Sequence, residues 1–376
     1  MAHQTIDSIY SPNHDEAARQ AFVGALKGIV NGPMEDKLAD IYETQIAPKI
    51  GVTPDAKDFD RELARTEFAK DGFYQLWGSA VYTSQDLLWE TVGETTDRQR
   101  SDFQARWNAL EACGPQYGSL SLKPDLELPE PIGSHEIHRQ PGGYFHGQDT
   151  DDLTSALLYL SSIELYRSAK GLGTGAKTGE PGMFRFMLSV LRDKFPDFQP
   201  KRILDIGCGP GLETIALAEA FPDAEIHALD LSAPFVKFGH LWAEEKGKEI
   251  HFHQANAAET GMPDGHFDLI ISHILFHETS DEMLPKIMRE AERLLAKGGV
   301  FFNADVPYQP AKIPATKQIT NGWQVAYNGE PFWSGFADTD VSEALAKAGF
   351  EPCGIFADYV PFGSFFYYFF GARKSE

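Results

Sequence analysis

The sequence predicts an α/β fold in which a doubly wound, mostly parallel sheet follows a mainly helical N-terminal domain. Apolar strand-like runs alternate with helical patterns after residue 200, as expected when helices cover both faces of a parallel sheet. Residues 15–112 instead show helical periodicity. The last two strand-like runs are separated by a short glycine-containing loop, which predicts a C-terminal antiparallel strand.

The N-terminal region divides into helices and a connector. The clearest helix runs from Tyr74 to Val92, where one face carries Leu76, Trp77, Ala80, Val81, Ser84, Leu87, Leu88 and Thr91. Proline and glycine interrupt residues 113–150, so this segment is predicted to connect two domains. We therefore divide the chain into residues 1–150, a helical cap or dimerisation domain, and residues 151–376, the α/β domain.

The α/β domain is predicted element by element. Strand-like runs lie at residues 202–206, 225–230, 249–254, 267–272, 298–304, 350–356 and 364–371. Thr279 and Glu282 have capping-box spacing at the start of a helix over residues 280–296, and Gly298 is expected to stop it. A glycine-rich stretch at residues 171–175 predicts a loop.

Composition excludes several classes of function. A net charge of −22 opposes a phosphate backbone, so nucleic acid is not expected as a partner. Three cysteines in unrelated contexts exclude a disulfide framework and a thiolate zinc site. No basic leader precedes an apolar run, and no apolar run approaches the length of about 18 residues that crosses a bilayer, so a cytoplasmic protein is expected.

The glycine-rich segment at residues 203–211 reads Ile-Leu-Asp-Ile-Gly-Cys-Gly-Pro-Gly. A strand that turns through these glycines into a helix brings bare backbone close to a ligand. The spacing resembles that of class I S-adenosylmethionine methyltransferases rather than the longer dinucleotide turn. The resemblance covers residues 200–305, continues more weakly to residue 371, and implies a Rossmann-like fold with S-adenosyl-L-methionine as methyl donor.

The resemblance also implies which residues contact the cofactor. Asp230, at the end of the second strand, would accept hydrogen bonds from the ribose hydroxyls, and Asn256 with Ala257 would recognise the adenine. Asn256 stands where an aspartate is commoner, and it is also a good turn residue. The full implied set is Asp205, Gly207, Cys208, Gly209, Gly211, Asp230, Leu231, Asn256, Ala257 and His273.

Candidate catalytic residues follow the fourth strand of the resembling segment. His277 and Glu278 would contact the acceptor or remove its proton, or else pack structurally. Tyr144 and His146 would belong to a lid, where related enzymes often have one. No metal site is expected, because the histidines at 251, 253, 273 and 277 match no strong zinc spacing.

The expected function is methyl transfer from S-adenosylmethionine to a small organic acceptor, with S-adenosylhomocysteine as product. Two alternatives remain open. One is an S-adenosylmethionine-binding enzyme of different chemistry. The other is a non-catalytic interaction protein on the same scaffold, with the N-terminal helices as its partner surface. The same helices are the expected contact of a homodimer.

Overall fold

The computed structural model describes residues 10–130, 132–168, 182–306, 312–362 and 365–375. The loop predicted at residues 171–175 lies outside the described residues. The fold confirms the expected class, since an eight-stranded and mostly parallel sheet with a C-terminal antiparallel pair follows a helical N-terminal region. No helix in the described part of the chain is both long enough and apolar enough to cross a membrane.

The N-terminal layer consists of five helices around one dominant element. Their bounds are α1 His14–Val30, α2 Pro33–Ile41, α3 Ala47–Ile50, α4 Arg61–Phe68 and α5 Gly72–Cys113. Asp71 caps α5 by accepting from two backbone N–H groups. The helix predicted over residues 74–92 is thus the first half of a 42-residue helix, with Trp77 and Leu88 buried and Leu76 exposed.

The sheet has the strand order β1-β4-β3-β2-β5-β6-β8-β7. Its strands are β1 Ser119–Ser121, β2 Arg202–Ile206, β3 Glu225–Asp230, β4 His251–Gln254, β5 Phe267–His273, β6 Leu295–Asp305, β7 Ile355–Phe362 and β8 Phe365–Arg373. All neighbours are parallel except β8, which runs antiparallel to β6 and β7. The sheet therefore directs the carboxyl ends of β2, β3, β4 and β5 toward one edge.

Eight further helices follow the connector. They are α6 Thr154–Ser168, α7 Met183–Lys194, α8 Leu212–Ala220, α9 Ala233–Glu245, α10 Leu284–Leu294, α11 Ala315–Tyr327, α12 Trp333–Asp338 and α13 Val341–Ala348. One sheet face packs around Phe252 and α9, and the other packs around Ile270 with α10 and α13. Trp323 of α11 contacts Trp77 of α5, with ring centroids 5.2 Å apart. Helices from both halves of the chain therefore share one apolar cluster.

Three predicted boundaries are wrong. The capping box fails because Thr279 donates its hydroxyl to the Phe276 carbonyl, and α10 begins four residues after the predicted start. That helix ends before Gly298, because Leu295 already pairs with β5. A 3₁₀ turn at Pro352–Gly354 delays the strand predicted over residues 350–356, so β7 begins at residue 355.

The connector contributes an element that the sequence did not predict. Residues Ser119–Ser121 form edge strand β1, which pairs in parallel with β4. A strand of three residues, only one of them apolar, is too short to show a periodic pattern. The division of the chain at residue 150 stays a prediction, with β1 joining the connector to the sheet.

Candidate active site

The glycine turn after β2 is held in an unusual backbone conformation. Gly207, Gly209 and Gly211 have φ angles of 68°, 53° and 79°, a region that glycine adopts at little cost. A Cβ on Gly207 would lie 2.6 Å from a methyl carbon of Leu275, so packing requires that glycine. A Cβ on Gly209 would approach only the Tyr159 ring, at 3.9 Å. The backbone of Gly209 therefore presents an open face.

Two buried residues at the turn, Asp205 and Cys208, form hydrogen bonds that hold it in place. Asp205 accepts a hydrogen bond from the Thr214 hydroxyl at 2.6 Å, and burial raises the pKa of its carboxyl to about 7. The Cys208 N–H donates to the Leu229 carbonyl at 3.0 Å. Burial also raises the pKa of the Cys208 thiol, which therefore stays neutral. Both predicted residues thus lie at the turn, where they fix its shape.

Asp230 lies at the carboxyl end of β3 and joins the turn to the next loop. Its Oδ2 accepts from the Gly209 N–H at 3.0 Å and its Oδ1 from the Ser232 N–H at 2.8 Å. Burial raises the pKa of this carboxyl to about 6. Because a carboxylate has about four acceptor positions, both oxygens can each accept one further donor. The ribose contact stays a prediction, and the geometry leaves room for it.

The loop after β4 carries the residues predicted to recognise adenine. The Asn256 side-chain oxygen accepts from the Ala258 N–H at 2.9 Å, and Asn256 also forms a β-bridge with Glu259. Asn256 therefore shapes its own turn, as asparagine often does. Ala257 is partly buried at the tip of that turn. Their contact with a cofactor stays a prediction.

His273 ends β5 and has one satisfied and one unsatisfied ring nitrogen. Its Nδ1 lies 2.6 Å from Glu213 Oε1 at the start of α8. Burial lowers the pKa of His273, but Glu213 outweighs this effect and raises it overall. The Nε2 atom is buried and has no hydrogen-bond partner among the described residues. Most buried polar atoms in proteins have a hydrogen-bond partner, so this nitrogen is a candidate for contact with a bound molecule.

The chain turns sharply after His273. Ile274 has a φ of 58°, which is a strained conformation for a β-branched residue. Such strain persists where the surrounding structure enforces it, commonly at functional sites. The turn leads into a 3₁₀ segment at Phe276–Glu278, which carries both predicted catalytic residues.

Glu278 is the centre of a buried polar group that we call the Glu278 group. It consists of His138, Tyr144, His277, Glu278, Asp305 and Glu330. Glu278 Oε1 accepts from His138 Nε2 at 2.9 Å and from the Tyr144 hydroxyl at 3.2 Å. His277 Nε2 lies 3.7 Å from the same oxygen. Side chains from the connector and from the 3₁₀ segment itself therefore converge on one carboxyl oxygen.

His277 is paired with an acid at the end of β6. Its Nδ1 donates to Asp305 Oδ1 at 2.6 Å, and both side chains are almost completely buried. Burial lowers the pKa of His277, but Asp305 followed by Glu278 outweighs it, and the pKa is raised to about 9. His277 is therefore protonated at neutral pH. A catalytic role for His277 or Glu278 stays a prediction.

The sequence did not predict His138 or Glu330. His138 lies between Glu278 and Glu330, whose Oε1 is 2.5 Å from its Nδ1. Burial lowers the pKa of His138, and the two carboxylates raise it well above its ordinary value, so both ring nitrogens donate. His138 and Arg139 have φ angles of 52° and 59°, a strained pair held by hydrogen bonds from α5 to the His138 carbonyl. No motif near residue 138 signals this contact.

The segment over residues 140–150 covers the turn between β3 and α9. The Tyr144 carbonyl accepts from the Ser232 hydroxyl at 2.6 Å. Gln148 donates to the Leu231 carbonyl at 3.0 Å and accepts from the Ala233 N–H at 2.9 Å. These bonds place the predicted lid segment directly beside the β3–α9 turn, and Leu231 contacts the segment through its backbone. Asp230 connects this turn to the glycine turn at residues 207–211, which we call the cofactor turn.

The two predicted lid side chains have different surroundings. The Tyr144 ring is buried and packs against Tyr159 and Phe235, with centroids 5.5 Å and 5.4 Å away. The side chain of His146 is 55% exposed and lies 3.7 Å from Asp152. His146 therefore lies outside the Glu278 group.

Tyr159 connects the cofactor turn with the Glu278 group. Its ring faces Gly209, and burial raises the pKa of its hydroxyl, with further contributions from Glu278, Glu213 and Asp230. The Tyr159 ring also packs against Tyr144, whose hydroxyl donates to Glu278. Tyr159 therefore links the cofactor turn to the Glu278 group through Tyr144.

Comparisons with known proteins agree with this geometry. A family model described as a methyltransferase domain matches residues 203–299. The demethylmenaquinone methyltransferase of Thermus thermophilus is 34% identical over 111 residues, which cover 30% of this chain and 50% of that protein. The ribosomal RNA small subunit methyltransferase C of Salmonella choleraesuis is 34% identical over 231 residues, covering 58% of each chain. The chain spans about half the length of the curated relatives it matches.

A solved structure with a similar fold is Haemonchus contortus phosphoethanolamine N-methyltransferase 2 in complex with S-adenosyl-L-methionine. It is 17% identical, with a TM-score of 0.44, and the match covers 61% of this chain and 58% of that one. The family match falls on the glycine turn and on strands β2 to β6 of the parallel sheet. Residues 203–299 therefore match a methyltransferase domain.

Proposed function

We propose that this protein transfers a methyl group from S-adenosylmethionine to a small organic acceptor and releases S-adenosylhomocysteine. The observation that carries the proposal is a continuous series of contacts, from Gly209 of the cofactor turn to the Tyr159 ring, from Tyr159 to Tyr144, and from the Tyr144 hydroxyl to Glu278. A methyl donor on the turn and an acceptor beside Glu278 would share the space that Tyr159 borders.

The residues present fit the cofactor. Gly209 presents open backbone, Asp230 keeps free acceptor positions, and His273 Nε2 is a buried polar atom without a partner among the described residues. When bound, S-adenosylmethionine supplies an electrophilic methyl group on a sulfonium centre. We propose that Asp230 holds the ribose, that Asn256 and Ala257 border the adenine, and that His273 lies near the amino-acid part.

The Glu278 group, which would lie beside the methyl acceptor, contains a side chain suited to removing a proton. Alignment of the acceptor is the main requirement of an in-line displacement, and a base is needed where an O–H or N–H must lose its proton. We propose that Glu278 takes this proton while Tyr144 and His138 hold its carboxyl in place. His277, protonated and bonded to Asp305, supplies positive charge beside that carboxyl.

A small acceptor is favoured by the covering segment and by charge. Residues 140–150 lie over the β3–α9 turn, and the proposed proton acceptor Glu278, whose side chain is only 14% exposed, accepts from the buried Tyr144. A net charge of −22 also opposes a phosphate backbone. Several relatives are named ribosomal RNA methyltransferases, so the exclusion of nucleic acid stays a prediction that the experiment must include.

The test incubates the purified chain with methyl-labelled S-adenosylmethionine and either a set of small hydroxyl and amine compounds or ribosomal RNA. A labelled small product formed in step with S-adenosylhomocysteine supports the proposal. Labelled RNA without a small product contradicts the acceptor class. Cofactor binding followed by a product other than S-adenosylhomocysteine indicates the alternative chemistry. Folded protein that binds no cofactor indicates an interaction module and overturns the proposal.

A further inference from the structure

In the described part of the chain, the connection from β4 to β5 places no helix over one face of β3 and β4. Residues 255–266, which connect β4 to β5, are all described and contain no helix. Side chains alternate along a strand, and Phe252 points to the face that α9 covers. The opposite face carries His227, His251 and His253, where a covered sheet would have apolar side chains.

These histidines form a connected group with two neighbours, which we call the sheet histidine group: Glu225, His227, His251, His253 and His266. The side chain of His227 is central and 16% exposed. Its Nδ1 is 3.0 Å from His253 Nε2, and its Nε2 is 2.9 Å from Glu225 Oε1. Its ring centroid lies 4.9 Å from that of His251 and 6.1 Å from that of His266.

Three of these side chains converge as metal ligands do. One ligand atom each of Glu225, His227 and His266 lies within 4.8 Å of the other two. Two imidazoles and one carboxylate suit Zn²⁺ and other divalent ions late in the first transition row. We propose that these three residues bind one divalent ion of this class at the uncovered sheet face.

His253 completes the arrangement as a partner of His227. With the ion on His227 Nε2, the Nδ1–H of His227 would donate to His253 Nε2 across the existing 3.0 Å contact. Ligating histidines usually donate their second N–H in this way.

Arg202 competes with the proposed ion for His266. Its guanidinium donates to His266 Nδ1 at 3.2 Å, which places the proton of a neutral imidazole on Nε2. Metal binding therefore requires Arg202 to release His266. Removal of this donor is expected to strengthen binding, a response that a merely structural histidine group would not give.

The proposed ion would link β3 to the loop before β5. These elements are joined at this face by side chains rather than by a crossover helix, so an ion there would replace part of the missing cover. A ligand that binds only the folded state raises the melting temperature. The expected effect of the metal is therefore stabilisation, separate from methyl transfer at the opposite edge of the sheet.

The test titrates Zn²⁺ into full-length, chelator-treated protein by calorimetry and records the melting temperature with and without the ion. One ion per chain and a metal-dependent rise in melting temperature are expected. His227→Gln and Glu225→Gln should each weaken binding by more than about 10-fold. Glu225 is half exposed, so its variant keeps the fold, and circular dichroism without metal checks this.

Three further variants decide where the ion binds. Arg202→Gln should bind Zn²⁺ more tightly than the natural chain. His14→Gln, at a side chain that is 96% exposed, is the matched control and should change nothing. His138, His277 and Glu278 also converge closely enough to hold an ion. Loss of binding in His277→Gln but not in His227→Gln would overturn the proposal, as would the absence of saturable binding.

Discussion

The Tyr144 hydroxyl donates to Glu278 Oε1 across 3.2 Å, although the two residues are 134 positions apart. Tyr144 belongs to the segment that covers the β3–α9 turn, and Glu278 belongs to the 3₁₀ segment beyond β5. The bond therefore closes the covering segment onto the proposed acceptor side. The orientation of Glu278, the proposed proton acceptor, therefore depends on Tyr144, which lies outside the matched methyltransferase domain.

Tyr144→Phe should slow methyl transfer and leave cofactor binding unchanged. The variant keeps the buried ring and removes only the O–H that donates to Glu278. A hydrogen bond to a charged group contributes about 1.5–3 kcal/mol, so kcat should fall about 10- to 100-fold. Steady-state formation of S-adenosylhomocysteine measures the rate, and calorimetry measures cofactor affinity. Tyr117→Phe, at an exposed ring, is the control. An equal loss of cofactor affinity would contradict the assignment to the acceptor side.

Asp230→Ala should weaken S-adenosylmethionine binding strongly. The substitution removes the proposed ribose acceptor and its bonds to the Gly209 and Ser232 N–H groups, which is expected to cost about 2–4 kcal/mol of binding free energy. Calorimetry with S-adenosylhomocysteine gives the dissociation constant. Asp223→Ala, at an exposed turn before β3, should bind normally. If the folded Asp230→Ala variant bound S-adenosylhomocysteine with normal affinity, Asp230 would not be a cofactor contact.

Local patterns were sufficient for the parts of the site that lie on regular elements. The strands ending near Asp205, Asp230 and His273 are apolar runs bounded by polar or glycine residues, and parallel strands bring their carboxyl ends to one edge. Cofactor candidates could therefore be named from sequence. Asp305, at the carboxyl end of β6, obeys the same rule and could have been named with them.

The acceptor side could not be predicted in the same way. His138 reaches Glu278 from a short 3₁₀ turn at Ile137–Arg139, and Glu330 in turn pairs with His138. The position of His138 depends on hydrogen bonds from α5 to its carbonyl. Such contacts leave no periodic signal. The sequence predicted both Tyr144 and His146 as lid residues. Only the packing shows that the Tyr144 ring is buried and the His146 ring is exposed.

Cofactor affinity should fall as the pH falls through about 6. Burial raises the pKa of Asp230 to about 6, and a protonated carboxyl loses acceptor capacity toward two hydroxyl donors. Below that pH, the dissociation constant of S-adenosylhomocysteine should rise by about tenfold per pH unit. Calorimetry from pH 5 to about pH 8 checks this. The pKa of Asp205 is also raised, to about 7. An Asp205→Asn variant therefore distinguishes the titration of Asp205 from that of Asp230. A pH-independent affinity would contradict the role of Asp230.

Asp305→Asn should lower the free energy of unfolding at neutral pH. It should also make that free energy fall less steeply as the pH becomes alkaline. In the folded chain the pKa of His277 is raised to about 9, against an ordinary value of 6.5, because Asp305 outweighs the effect of burial. A raised histidine pKa stabilises the folded state fully below about pH 6.5, and this contribution is lost as the pH rises through about 9. The shift corresponds to about 3 kcal/mol in the free energy of unfolding.

Urea unfolding of both proteins between about pH 6 and pH 10 measures this difference. At pH 7 the variant should be less stable by about 3–5 kcal/mol, because the buried partner of His277 is lost. Its stability should then decline less steeply with pH than that of the natural chain. Asp223→Asn, at an exposed position, should follow the natural curve. Parallel curves for Asp305→Asn and the natural chain would show that Asp305 does not keep His277 protonated.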